Sequence, residues 1–174
     1  MNIAVFSCSL NPKSKSRRLA ERALARLGGS GADALFIDLA KYSLPPCDGG
    51  SAYGDPAAIE LKETVKNASA ALLAFPVYNY AAGSALKNMM ELTGDAWTGK
   101  TVGMVCAAGG KGSYMAPMTV ANSLMLDFRC VIVPRFVYAI GEDFEGDGAP
   151  SEEIGQRVDE LADELLRIGT ALSG

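Results

Sequence analysis

The run Ala70-Ala-Leu-Leu-Ala-Phe75 constrains this chain most. It is apolar at every position and too short for a helix, so it reads as a strand that needs cover on both faces. Such strands belong to the middle of a parallel sheet, where helical crossovers supply that cover. Pro76 has no N–H to donate and is expected to end the ladder. A polar loop follows, with Tyr78, Asn79 and Tyr80. After Gly83, Ser84 is expected to cap a helix carrying Leu86, Met89, Met90 and Leu92. A buried strand that empties into a polar loop and then a helix is the ligand-binding edge of an open α/β sheet.

The rest of the chain repeats the alternation. Strands are expected over 2–6, 33–39, 101–107 and, interrupted at Pro134, over 130–133 and 137–140. Between them fall helical stripes. Leu19, Ala20, Ala23, Leu24 and Leu27 share one face, and Gly28 and Gly29 stop that helix. A second helix covers 57–66 with Pro56 near its first turn. A fourth spans 114–126 with Pro117 in its first turn or breaking it. Ser151 caps the last, whose stripe is Ile154, Val158, Leu161, Leu165, Ile168 and Leu172. Residues 40–55 form a long loop rich in Pro and Gly. Five strands alternating with five helices suit a three-layer sandwich with a parallel sheet of order 2-1-3-4-5. A length of 174 residues, with no repeat or linker, predicts one domain over 1–174.

Composition removes several classes of chemistry. The chain has no histidine, so Ser-His-Asp triads, Cys-His pairs and His-ligated zinc or haem are out of reach. Cys8, Cys47, Cys106 and Cys130 form no Cys-x-x-Cys pair. Cys8, Cys106 and Cys130 lie in or beside apolar runs and read as buried thiols. The net charge of −4 with no basic tract speaks against nucleic acid. No apolar run reaches membrane-spanning length and no signal-type start is seen, so a cytoplasmic protein is expected. The acidic stretch 142–148 resembles a calcium loop, but its terminal carboxylate would fall at Ile154; it reads as a solvated turn. The methionines at 89, 90, 115, 118 and 125 read as core or as a subunit contact, and Trp97 reads as packing.

Two further loops join the one after the third strand. Ser7 to Arg17 packs the hydroxyls of Ser7, Ser9, Ser14 and Ser16, the Asn11 amide and the cations Lys13, Lys15 and Arg17 into one turn opening a helix. Free N–H groups and partial positive charge at a helix start suit a phosphate. Neither a dinucleotide glycine pattern nor a Walker ending is present, so a terminal monophosphate is the better match; a solvated capping loop is the plainer alternative. Ala107-Ala-Gly-Gly-Lys-Gly112 follows the fourth strand. Alone it reads as a glycine turn. Beside the Tyr78 loop it becomes a place where backbone can approach a flat ring.

Pro76-Val-Tyr-Asn79 followed by Leu86-Lys-Asn88 resembles the Pro-x-Tyr-Asn…Leu-Lys-Asn signature of the NAD(P)H-dependent FMN reductase family. The first loop is similar to that family's Gly-Ser-Leu-Arg-x-x-Ser-x-Asn, with Cys8-Ser9-Leu10 standing for Gly-Ser-Leu, Asn11 for Arg, Ser14 for Ser and Ser16 for Asn. The family also carries Gly-Gly after the fourth strand. The resemblance covers most of the chain and implies a flavodoxin-like fold, an FMN cofactor, NADPH or NADH as donor, and a homodimer or homotetramer. It implies cofactor contacts from Ser9, Asn11, Ser14, Ser16, Arg17, Pro76, Val77, Tyr78, Asn79, Ala107, Ala108, Gly109, Gly110 and Gly112. Tyr80 and Lys111 would face the substrate, a small acceptor such as free flavin, a quinone, an azo compound or a metal oxyanion. No catalytic side chain and no metal are implied. Asn11 in place of Arg removes a charged phosphate donor, which Arg17 or Lys15 could replace. The rivals are a flavodoxin-type carrier without nicotinamide turnover and a flavin-free α/β protein.

Overall fold

The computed structural model describes residues 1–146 and 148–172. Six strands and five helices alternate as β1 (Asn2–Ser7), α1 (Lys15–Gly29), β2 (Asp33–Asp38), α2 (Pro56–Asn67), β3 (Ala70–Tyr78), β4 (Ala81–Ala82), α3 (Ser84–Thr93), β5 (Thr101–Ala107), α4 (Pro117–Phe128), β6 (Val131–Ala139) and α5 (Glu152–Leu172). The five long strands are parallel and lie in the order β2-β1-β3-β5-β6. This is the expected 2-1-3-4-5 arrangement.

Strand alternation sorts the core into two layers. Phe6, Leu73, Phe75 and Met104 face Leu61, Val65, Leu86, Met89, Trp97 and Leu124 on one side of the sheet. Val5, Leu72, Ala74 and Val105 face Leu19, Ala23, Val158, Leu161 and Leu165 of α1 and α5 on the other. Full burial of each such Leu or Phe contributes about 1.5–3 kcal/mol. Trp97 is a packing residue, fully buried with its Nε1 donating to Thr93 Oγ1 at 2.7 Å. Burial pushes the Cys106 thiol up to about 12, the Cys130 thiol up to about 11 and the Cys8 thiol higher still. These thiols stay protonated small hydrophobes.

Three boundaries differ from expectation, each for a tertiary reason. β3 does not stop at Pro76. Pro76 pairs with Ala107 of β5, and its carbonyl accepts from Gly83 N at 3.0 Å, on a side where β1 has already ended opposite Ala74. The missing N–H therefore costs no ladder bond. β6 passes through Pro134 unbroken. Its register on β5 jumps between Val102↔Ile132 and Met104↔Phe136, so the proline sits in a bulge of an edge strand. α3 starts at Ser84 with Gly83 as its cap residue and no capping side chain. A Cβ on Gly83 would come within 3.1 Å of Pro76 Cγ, so a larger residue there must push the Pro76 ring aside by a few tenths of an ångström.

α4 begins with Pro117 in its first turn, as expected. Ser151 Oγ accepts from Ile154 N at 3.4 Å at the start of α5. In the 142–148 turn, Asp147 lies outside the described residues, and Asp143 accepts from Ile140 N at 2.7 Å. No helix among the described residues is long and apolar enough to cross a membrane.

Candidate functional site

β1, β3 and β5 are neighbours in the sheet, so the segments leaving their C-terminal ends meet at one edge. The first segment is tied to the centre by Cys8 N, which donates to Ala74 O at 2.8 Å. Its side chains largely organise the turn itself. Ser9 Oγ accepts from Asn11 N at 3.2 Å, and Asn11 Oδ1 accepts from Lys13 N at 2.9 Å. Ser14 is the N-cap of α1 and accepts from Arg17 N at 3.2 Å.

Ser14 Oγ also lies 3.0 Å from Ser16 Oγ. Two hydroxyls hold two protons, and their mutual bond consumes one. One O–H remains to donate outward. The first-turn amides of Lys15 and Ser16 have no intrahelical acceptor by construction, and the helix dipole adds positive potential there. A cleft of about 510 Å³ opens beside this turn, lined by Lys13, Ser14, Lys15 and Arg18 among others.

The two cations expected near a phosphate have different situations. The Arg17 guanidinium donates through Nε to Glu21 at 2.9 Å and through Nη1 to buried Asp38 at 2.5 Å. Those carboxylates hold its pKa above the ordinary arginine value, Glu21 contributing most. Its charge is thus shared with two anions. Lys15 Nζ donates to Gly141 O at 3.1 Å and lies 5.1 Å from the centre of the Phe144 ring. Lys15 has no carboxylate partner among the described residues.

The second segment is a tight hairpin. Val77↔Ala82 and Tyr78↔Ala81 pair antiparallel, leaving Asn79 and Tyr80 as a two-residue turn with φ of 50° and 65°. Positive φ at both positions is the primed turn that suits strand twist. Asn tolerates it; for Tyr80 it is a strained conformation, costing on the order of 1–3 kcal/mol. Tyr78, Asn79 and Tyr80 are exposed, whereas Pro76 and Val77 are buried, with Val77 in the core. Any share of Val77 in a site therefore falls to its backbone. Asn88, from the Leu-Lys-Asn part of the signature, has a scaffold role. It accepts from Cys47 N at 2.8 Å and donates to Pro45 O at 2.9 Å, pinning the long loop.

In the third segment Ala107 is buried, Ala108 half-buried, and Gly109, Gly110, Lys111 and Gly112 exposed. Ala108 N donates to Ala139 O at 2.8 Å, and the Tyr138 hydroxyl donates to Gly110 O at 2.5 Å. None of Gly109, Gly110 and Gly112 has a positive φ, and a Cβ on any of them would meet nothing within 4 Å. The chain itself does not need glycine there. The loop leaves its backbone open to the close approach of a flat group.

Two residues beside these segments carry no motif signal. Tyr138 arrives from β6, beyond Pro134, where the sequence gives no sign of an approach to the glycine loop. In the sequence Ser7 reads as one hydroxyl of the loop. It is fully buried at the end of β1, and its Oγ has no hydrogen-bond partner among the described residues. By alternation it faces the layer into which α1 buries Ser16. An orphaned buried hydroxyl under an anion-ready helix start fits a phosphate group held with its solvent. The donors of the first segment and the glycine cradle of the third thus fit FMN.

The sequence over residues 1–145 matches the family described as NADPH-dependent FMN reductase. A search of curated proteins finds no match. Among solved structures, an oxidoreductase from Corynebacterium diphtheriae is 22% identical with a TM-score of 0.77, over 98% of this chain and 97% of that one. The apo form of the NADH:FMN oxidoreductase EmoB is 18% identical with a TM-score of 0.76, over 94% of this chain and 87% of its own. FerB from Paracoccus denitrificans, a flavoenzyme NAD(P)H:(acceptor) oxidoreductase, is 20% identical with a TM-score of 0.72, over 95% and 97%. At these identities the structures show a shared fold. The sequence match spans all three segments of the site, and with it this chain belongs to the NADPH-dependent FMN reductase family.

Proposed function

We propose that the protein binds one FMN across the three segments and transfers electrons from NADH or NADPH to a small acceptor such as free flavin, a quinone, an azo compound or a metal oxyanion. The observation that carries the reading is the glycine cradle of 109–112, unexplained by the chain's own packing, beside the hydroxyl-lined start of α1. FMN held there would supply the redox chemistry between nicotinamide and acceptor. The protein's work is binding and alignment. Ser14, Ser16 and the first amides of α1 hold the phosphate. Between the two cations, Lys15 supports its charge, because Arg17 is already neutralised by Glu21 and Asp38. Backbone of 107–112 and of 76–79 takes the ring, Asn79 offers an amide to its polar edge, and Tyr80 and Lys111 border the open face. No acid–base side chain is required for hydride transfer, consistent with a chain that has no histidine.

Titration of apoprotein with FMN and FAD, followed by stopped-flow mixing with NADH or NADPH, tests the reading. Tighter binding of FMN and bleaching by at least one nicotinamide are expected. A holoprotein that dithionite reduces but neither nicotinamide bleaches is a carrier, and the enzyme reading fails.

We also propose a homodimer or homotetramer. Met89 and Met90 are spent in the core, but Met115, Met125 and Leu126 at and near α4 are 48%, 36% and 81% exposed. Between α3 and α4 runs a groove of about 260 Å³ lined by Ala82, Leu86, Met90 and Val120. Apolar surface of this kind marks a contact between chains. Light scattering at micromolar concentration should give at least twice the chain mass; a monomer removes the proposal.

A further inference from the structure

We infer that the outer edge of β2 is a docking site for an extended segment of a partner protein, one that carries lysine or arginine and adds to the sheet as a further strand. The inference stands apart from the flavin reading. The groove beside this edge is lined by Asn2 and Asp33, at the starts of β1 and β2, whereas the three segments of the site leave the opposite end of the sheet.

The sheet ends in β2 on one side and β6 on the other. An edge strand presents unpaired main-chain groups, and folds blunt it with bulges, prolines or charged side chains. β6 has all three. Pro134 sits in its bulge, and the neighbouring Arg135 is ion-paired to Glu160 of α5. β2, Asp-Ala-Leu-Phe-Ile-Asp, has no proline and no lysine, its charges stand only at its two ends, and its register on β1 is unbroken. Asp33 N donates to Met1 O at 3.2 Å, so the odd-numbered residues of β2 turn their main chain toward β1. The N–H and C=O of Ala34 and Phe36 therefore point outward, where no strand meets them among the described residues.

The side facing α2 has room for a side chain. Leu35, in the middle of the strand, is 58% exposed. A groove of about 490 Å³ lies between it and α2, with buried Ala4 and Ala68 as its floor. Asp33, Glu60 and Glu63 line this groove, and no Lys or Arg does. Glu60 accepts from the Tyr42 hydroxyl at 2.9 Å, a neutral donor that leaves its charge in place. Glu63 lies 3.8 Å from Lys66 in an exposed pair of little strength. An apolar floor inside a carboxylate rim selects an occupant with an apolar residue flanked by cations on its inward face. A second copy of this chain does not match. Two β2 edges paired antiparallel through Ala34 and Phe36 would set Leu35 against Leu35, but would gather Asp33, Glu60 and Glu63 of both copies around one groove.

The probe is a fluorescent peptide, Thr-Lys-Thr-Val-Thr-Lys-Thr, whose alternation puts Val between two Lys on one face. One control has Glu in place of Lys. The other has Pro in place of the two Thr beside Val, which removes the main-chain donors that would face β2. The protein is used as purified, with or without flavin, so a failure of FMN uptake leaves this test intact. At low salt the lysine peptide should bind about tenfold or more tighter than either control, and salt should weaken it. Glu60→Gln with Glu63→Gln should weaken it about fivefold, the scale of two exposed ion pairs, with the melting temperature unmoved. Leu35→Lys, which places a cation on the edge, should abolish binding. Hydrogen exchange at the Ala34 and Phe36 amides should slow when the lysine peptide binds. Equal affinity for the lysine and glutamate peptides overturns the inference, as does equal affinity for the proline peptide or no binding at all. Ala34 and Phe36 amides that exchange as slowly as those of β1 in the protein alone mean that a second copy covers the edge, and that also overturns it.

Discussion

Replacing Gly109 and Gly110 together with valine is expected to remove FMN binding while leaving the fold intact. Both residues are exposed, neither has a positive φ, and added Cβ atoms would meet nothing within 4 Å in the chain. Extended or ordinary backbone accepts a β-branched residue, so the melting temperature should hardly move. A ring lying against that backbone would meet four new methyl groups. Forcing extra carbons into filled space costs roughly 1–3 kcal/mol at each position, so affinity should fall about a hundredfold or more. Fluorescence titration with FMN measures the loss, and a thermal melt of the apoprotein controls for folding. Gly83→Ala is the contrasting case. Its Cβ would press on Pro76 Cγ at 3.1 Å, so its cost should appear in apoprotein stability as well. If the double valine variant binds FMN as wild type does, the ring does not sit on this loop.

The second large effect concerns the phosphate. Ser14→Ala with Ser16→Ala removes the hydroxyl pair at the start of α1. Because the pair spends one proton on itself across 3.0 Å, it can give one hydrogen bond outward rather than two. A hydrogen bond to a charged group is worth about 1.5–3 kcal/mol, so FMN affinity should fall more than roughly tenfold. Riboflavin, which has no phosphate, should bind as before. The double variant also loses the cap on Arg17 N, which should lower stability by about 1 kcal/mol with or without flavin. Ser16→Ala alone keeps the cap and leaves the Ser14 O–H free to donate, so it should lose less FMN affinity than the double variant. Equal losses for FMN and riboflavin would mean that this turn holds something other than phosphate.

Much of this protein is written in local pattern. A run such as Ala70–Phe75, apolar at every position, cannot be satisfied except between two covering layers, and a stripe such as Leu19-Ala23-Leu27 can cover only one face. Alternation of the two signals forces a parallel sheet, and the sheet order places the ends of β1, β3 and β5 together. Turn chemistry marked those ends as polar and glycine-rich. Each of these inferences needs only residues within about a turn of one another, because backbone geometry repeats on that scale.

What depended on distant partners could only be decided by the tertiary structure. Arg17 and Lys15 look equivalent along the chain. One meets Asp38, 21 residues away on β2, and the other meets Gly141 O, 126 residues away. Pro134 reads as a break, yet an edge strand absorbs it as a bulge. Pro76 reads as a stop, yet its missing N–H faces the side where β1 has ended. Asn79-Tyr80 lacks the glycine that announces a two-residue hairpin, so the turn and its strained tyrosine are hidden until β4 folds back on β3. In each case the residue type sets what a group can do, while the pairing that uses or frees it is set by the sheet. Periodicity fixes which face a side chain points to. It carries no information about which element arrives there to meet it.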